Sequence, residues 1–376
     1  SLSYPDVSID IRRLHFQKSL KLPLGSLEPV AEAFDISSPL EFAEKDWRTR
    51  PIVTATMPVW TGGQISAAKA AANAAADEAD ALLARAGQDE TVQLVEAYFG
   101  QQLAQQVVAV RLEVRNGLQE HYAHARKLEQ EGFATRAQLL QAQVALDNAE
   151  REYAKAVNDL RGAQAVLAGL LRSDVPIQPL SPLFVVQAPL EPVEYFVETA
   201  VRQRPGLEQL RAVGEQARQK VLAEQANWKP RVYLFGQYDL KREDALLTES
   251  DWAFGVGVSY TLFSNTDRHR QVGAARSQQL QVEHGLRDTA VKLEIGVARA
   301  WLAVDSARQQ FTLLESALAS ASLDVIDARL QLGKTRTDRA LAAWEFDLAL
   351  IQLLDVSGQT NRYSDYLRQA DIVLSP

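Results

Sequence analysis

Four short stretches of the chain alternate apolar and polar residues, and between them lie far longer stretches whose apolar residues recur every three or four positions. Val7, Ile9 and Ile11 alternate with Ser8, Asp10 and Arg12, which predicts a strand with one apolar face. A second strand covers 52–60, with Val53, Ala55, Met57 and Val59 on one side; Pro51 and Pro58 are tolerable at its margins. A third covers 232–240. A fourth opens the stretch 252–276 and sets Trp252, Phe254, Val256, Val258, Tyr260 and Leu262 on one face. Residues 19–48 are rich in Pro, Ser and Glu without a sustained period and predict a long loop. The charged segment 241–251 joins the third and fourth strands as a hairpin.

The helical stretches are long. Residues 64–130 hold no proline, and Phe99, Leu103, Val107, Val110, Val114, Leu118 and Tyr122 step near the helical repeat. At 1.5 Å per residue this is a helix of roughly 100 Å, a length found in coiled coils and repeats. Glu131-Gly132-Phe133 predicts a reversal and 134–172 a return helix. Prolines 176, 179, 182 and 189 mark a connector, and 190–228 reads as a helical pair broken around Arg204-Pro205-Gly206. Ser264-Asn265-Thr266-Asp267 is expected to cap a helix from about 266 to 332. Its apolar positions, among them Val297, Trp301, Val304 and Phe311, keep the spacing of a left-handed coiled-coil seam. Gly333 is expected to reverse it, with a return helix over 337–356 and a weakly patterned tail.

The two halves repeat this order. The junctions Val59-Trp60 and Leu262-Phe263 stand 203 residues apart, Gly132 and Gly333 stand 201 apart, and Pro5 and Pro230 precede matching strands. The chain therefore reads as a duplication. Its segments are 1–62, a β-hairpin with a long external loop; 63–172, a helical hairpin; 173–230, a connector and helical pair; 231–263, a second β-hairpin; 264–358, a second helical hairpin; and 359–376, a tail. Residues 191–229 precede the third strand without a counterpart before the first, so an equivalent helical pair and any signal peptide are expected ahead of residue 1.

Composition narrows the class. A net charge of −8 without a basic cluster excludes nucleic acid as a partner. Absence of cysteine removes disulfides, zinc fingers and thiol catalysis, and fits an oxidising envelope compartment. No run of about 18 apolar residues exists to form a transmembrane helix, which leaves a soluble protein or a β-barrel. The strands have the length that crosses a bilayer at a tilt. Four of them cannot close a barrel, and open edges are not tolerated in lipid. Three chains would supply twelve, an even number as such barrels require. The long helices would then continue the cylinder, with the small residues of 67–86 allowing close approach.

Chemistry is sparse. His121 and His124 stand at i,i+3 without a carboxylate to complete a metal site, which fits a solvated helix face; His269 and His284 are isolated. No nucleophile elbow occurs. No enzyme, metal or cofactor is expected.

WKPRVYLFGQY (228–238), FGVGVSYTLFS followed by QVGAARSQ, MPVWTGGQISAAKAAA, and EGFATRAQLLQAQVAL occur in an order that resembles the TolC-like outer-membrane efflux and secretion channels, over nearly the whole chain from residue 1 to about 358. The resemblance implies an α+β membrane protein, a homotrimer with a twelve-stranded barrel in outer-membrane lipid, a coiled-coil helical tunnel in the periplasm and a mixed equatorial belt. It further implies a periplasmic adaptor and, through it, an inner-membrane pump as partners. Under it, Trp60, Gly62, Gly63, Phe263 and Asp267 mark the barrel-to-tunnel junction. Glu131, Gly132 and Phe133, with Leu332, Gly333 and Lys334, resemble adaptor-contacting tips. Asp338 falls near the family's periplasmic gate, with Asp324, Asp327, Arg336 and Arg339 around it; a second acidic position one turn on is Ala342. The expected function is a passive exit duct of a tripartite efflux pump for small toxic compounds. The alternatives are the channel of a type I protein secretion system and, in a different class, a soluble coiled-coil scaffold.

Overall fold

The computed structural model describes residues 4–240, 251–263, 267–320 and 327–374. In chain order the elements are β1 (Asp6–Leu22), α1 (Glu28–Glu32), β2 (Leu40–Trp60), α2 (Gln64–Gln130), α3 (Arg136–Leu170), β3 (Leu183–Val185), α4 (Val193–Gln203), α5 (Pro205–Ala226), β4 (Arg231–Asp239), β5 (Trp252–Ser259), α6 (Arg268–Ser320), α7 (Asp327–Val356), α8 (Tyr363–Arg368) and β6 (Ile372–Leu374). They form two units: residues 1–74 with 215–281, and residues 75–214 with 282–376.

The first unit is built on an antiparallel sheet of order β1-β2-β4-β5. Its register aligns the alternating residues across strands. Val7 faces Ala55 and Ile9 faces Val53; Val53 in turn faces Tyr238, and Tyr238 faces Trp252. Leu234 faces both Met57 and Val256. One side of the sheet is thus apolar from edge to edge, and it is exposed: Ile11 by 71%, Phe254 by 78% and Val258 by 68%. The other side is polar or small. There Arg50 donates two hydrogen bonds to Asp239 Oδ2, at 3.1 and 2.9 Å, across β2 and β4. Tyr233 and Phe235 lay their rings against their β5 partners Gly257 and Gly255, where a Cβ would collide with the rings.

The predicted loop over 19–48 is corrected. β1 continues to Leu22 and β2 begins at Leu40, paired residue for residue from Asp6↔Thr56 to Leu22↔Leu40. Beyond Ile52 the described residues of the ribbon pair only β1 with β2. With water available to both faces, the ladder needs no apolar alternation, so the segment carries none. Backbone pairing and cross-strand contacts such as Lys21–Glu41 suffice there.

Among the described residues, the second unit packs around one large buried cluster, with two smaller ones between α2 and α3. Phe99 of α2, Leu183–Val185 of β3, Phe196 of α4, Val297, Val304 and Phe311 of α6, Phe346, Leu350 and Leu353 of α7, Tyr363 and Tyr366 of α8, and Leu374 of β6 form its centre. β3 pairs with β6, Leu183 facing Leu374, so the weakly patterned tail closes the core rather than trailing from it. Glu191 ties the connector to that tail. It accepts hydrogen bonds from Arg362 at 2.9 Å and from the Tyr366 hydroxyl at 2.8 Å. Partial burial raises the Glu191 pKa, but the bonds from Arg362 and Tyr366 outweigh it and the net shift is downward.

Helix α2 occupies the span its periodicity predicts. The second hairpin does not. α6 ends at Ser320 and α7 has begun by Asp327, so Gly333 lies inside a helix and Leu332-Gly333-Lys334 is not a reversal. The apolar spacing runs on unbroken through 314–332, which hides the change from a periodicity argument. The ion pair of Arg339 with Glu315 gives an independent measure. A reversal at Gly333 would leave those two residues roughly 18 Å out of step at 1.5 Å per residue.

Candidate functional site

Three places emerge, each within one unit. At the end of α2, Gly132 adopts φ +81°, the left-handed conformation that frees the chain to turn. The Phe133 N–H donates to the Leu128 carbonyl at 2.8 Å, closing the helix end, and the Phe133 ring is 80% exposed. Thr135 then starts α3 with a capping box: Gln138 N–H donates to its Oγ1 while its own N–H donates to Gln138 Oε1 at 2.8 Å. Glu131-Gly132-Phe133 is therefore a rigid turn with an exposed aromatic at its apex.

The second place is the seam between α2 and α7. Arg336 pairs with Glu113 at 2.5 Å, and Arg329 with Glu120 at 4.0 Å. Seven residues separate the two arginines and seven the two glutamates, so both bridges fall in one antiparallel register, a heptad apart. Between them the helices approach closely. A Cβ on Gly333 would stand 2.5 Å from Val114 Cγ2, and one on Gly117 would collide with the Arg329 guanidinium. Gly333 thus serves contact, not a turn. Arg339 pairs with Glu315 on α6 and lies over the Phe311 ring at 5.6 Å. Asp338 is half-buried and makes no hydrogen bond or ion pair among the described residues. Asp324 lies outside the described residues, and Asp327 opens α7. The sequence reading picked out the arginines and missed Glu113, Glu120 and Gly117; their matching seven-residue offsets were the available signal.

The third place is the strand-to-helix junction of the first unit. Gly62 has φ +66°, and a Cβ there would lie 2.7 Å from Lys229 Cβ and 3.0 Å from the Ala226 carbonyl oxygen. Lys229 Nζ donates to the Gly62 carbonyl at 3.1 Å, and Gly63 takes φ +102°. Asp267 caps α6, accepting from the Arg270 N–H at 3.2 Å. Trp60 and Phe263 are both exposed. The remaining cap residues, 264–266, lie outside the described residues.

One buried group escaped the sequence reading altogether. Asp347 of α7 is fully buried; among the described residues its one hydrogen bond comes from the Phe184 N–H to Oδ2 at 3.4 Å, and Oδ1 has no partner. Burial pushes its pKa well above the usual carboxylate range. Burial, reinforced by the charge Asp347 would carry, likewise raises that of Tyr363, whose hydroxyl also lacks a partner. Among the described residues no group of three or more His, Cys, Asp or Glu side chains could hold a metal ion, and no helix is long and apolar enough to cross a membrane. The latter says nothing of a β-barrel.

An exposed apolar sheet leading into long helical hairpins is the fold of outer-membrane channels, and comparison with known proteins agrees. Residues 196–371 match the family model described as outer membrane efflux protein. The alkaline protease secretion protein AprF of Pseudomonas aeruginosa is 26% identical over 320 residues, covering 73% of this chain and 66% of AprF. CyaE of Bordetella pertussis is 25% identical over 268 residues, 68% of this chain and 56% of CyaE. The chain thus spans less than two thirds of either relative. The solved outer membrane protein VceC of Vibrio cholerae superposes with a TM-score of 0.67 at 16% identity, over 94% of this chain and 87% of VceC. The chain is thus similar to the TolC-like outer-membrane efflux and secretion channels, the family model matching just under half of it. Its location is the bacterial outer membrane, extending into the periplasm.

Proposed function

We propose that this chain is one third of a passive exit duct. Four strands from each of three copies close a twelve-stranded barrel, and the duplicated helical hairpins, the second shorter than the first, form the periplasmic tunnel. The observation that carries the reading is the β1-β2-β4-β5 sheet, with one face apolar and exposed from edge to edge and both outer strands unpaired. In water such a sheet would aggregate; in lipid its edges must close. Copies of the same chain supply both edges. The test is physical: the protein should fractionate with outer membranes, need detergent, run at three times the chain mass and conduct ions in planar bilayers. A monodisperse, detergent-free protein would favour the soluble scaffold instead.

The α2–α7 seam serves as the gate. Its bridges are partly exposed, and such pairs contribute only about 0–1 kcal/mol each and weaken in salt. They fix alignment yet can be parted. Asp338, repeated around a threefold axis, would place a carboxylate ring at the constriction and favour cations. Asp338→Ala combined with Arg339→Ala should raise single-channel conductance and reduce cation selectivity; unchanged values for both would remove Asp338 and Arg339 from the gate.

Glu131, Gly132 and Phe133 form the adaptor-contacting tip, through which an inner-membrane transporter delivers cargo. The family description favours small toxic compounds, and the name of AprF favours an exported protein. Deleting the gene separates them. Sensitisation to toxic compounds with an unchanged set of secreted proteins supports efflux, and loss of one secreted protein without sensitisation supports secretion.

A further inference from the structure

The β1–β2 ribbon continues past the sheet at the end away from α2, and one of its faces is basic. Residues 7, 9 and 11 of β1, with 51, 53, 55 and 57 of β2, form the apolar face. The same face then continues through the pairs Arg13↔Thr49, His15↔Trp47, Gln17↔Lys45, Ser19↔Ala43 and Lys21↔Glu41. It carries a single acidic residue, Glu41, at the far tip and paired to Lys21. Asp6 and Asp10 fall on the opposite face. Immediately beyond the last apolar pair, the Arg13 guanidinium lies 5.5 Å from the Trp47 ring centre, and His15 packs on the same ring at 5.1 Å.

We propose that this face, through Arg13, His15, Trp47 and Lys45, binds the phosphorylated headgroup of a glycolipid in the outer leaflet. The inference rests on the channel reading, which sets the apolar face in lipid and the ribbon at its external boundary. Two observations favour a lipid anion as occupant. The cations begin one ladder pair above the apolar band, where headgroups lie. Tryptophan, apolar in body and polar at the edge, favours that depth. Arg13 and Lys45 stand four ladder positions apart, about 13 Å at 3.3 Å per residue. Each can take one phosphate of a bisphosphorylated disaccharide while Trp47 lies between them. Arg13 forks onto phosphate oxygens and Lys45 acts as a point charge.

The test reconstitutes the full-length protein in phosphatidylcholine nanodiscs doped with bisphosphorylated lipid A or with the same lipid stripped of both phosphates. Native mass spectrometry counts the lipid retained. Retention of the phosphorylated form should exceed that of the stripped form by tenfold or more, since each cation near an anionic surface contributes about 1 kcal/mol. Arg13→Ser with Lys45→Ser should abolish the difference, and Asp10→Ser with Arg12→Ser, on the opposite face, should leave it intact. Equal retention of the two lipids, or a difference that survives the Arg13/Lys45 exchange, overturns the proposal. If the wild-type protein does not enter nanodiscs at all, the channel reading itself fails; if it enters without discriminating, only the headgroup site does.

Discussion

Replacing Gly62 by valine should cost the folded protein roughly 2–6 kcal/mol, enough to deplete it from the outer membrane. Two costs act together. A β-branched residue held at φ +66° pays about 1–3 kcal/mol of backbone strain. Its Cβ must also push aside Lys229 Cβ and the Ala226 carbonyl, and overpacking of this kind costs about 1–3 kcal/mol. The displaced carbonyl belongs to the end of α5, which leads directly into β4, so the damage reaches the sheet. Gly87→Ala is the contrast. That glycine sits in α2 with open space around it, and alanine should stabilise the helix by about 0.5–1 kcal/mol. Denaturant unfolding of both purified variants checks the pair. A Gly62→Val protein as stable as wild type would mean the junction is not the rigid corner described.

The second large effect is in pH dependence. Asp347 has its pKa raised in the folded state, so below the pKa of an unfolded-chain aspartate both states bind the proton and its neutral form fits the core without penalty. As pH rises between the unfolded and the raised folded value, the unfolded chain loses its proton first, and stability falls through that window. The second unit should therefore be most stable in mild acid. Asp347→Asn keeps an acceptor for the Phe184 N–H and cannot ionise. It should flatten the pH profile of unfolding and raise stability at neutral pH, because it removes the cost of keeping the carboxyl protonated there. An asparagine variant with the wild-type slope would assign the pH dependence elsewhere.

What the sequence made legible follows from which forces leave a periodic trace. α2 occupies 64–130 as predicted, because a helix packed along one side must repeat its apolar residues near the helical pitch. The sheet strands are visible where one face is apolar, as at Trp252, Phe254, Val256 and Val258. Their external continuation is not, since a ribbon wetted on both sides carries no alternation. Gly333 misled because a helical glycine that admits Val114 looks in sequence like a glycine that turns. The core of the second unit was hidden for a different reason. β3 and β6 have three residues each, too few to show a period, and they meet across nearly the whole second half of the chain. Asp347 was invisible as well: a carboxylate in a helix reads as a solvated position until its neighbours are known.

The two aromatic-over-glycine pairs set how far the second face of the sheet stands out from its backbone. Tyr233 and Phe235 lie flat because Gly257 and Gly255 leave room beneath them. Each ring covers backbone without standing away from it. Any side chain at either glycine would lift the ring away from the sheet. In the proposed threefold duct these glycines would keep the bore open, so the widest object it could pass would depend on two residues that carry no side chain.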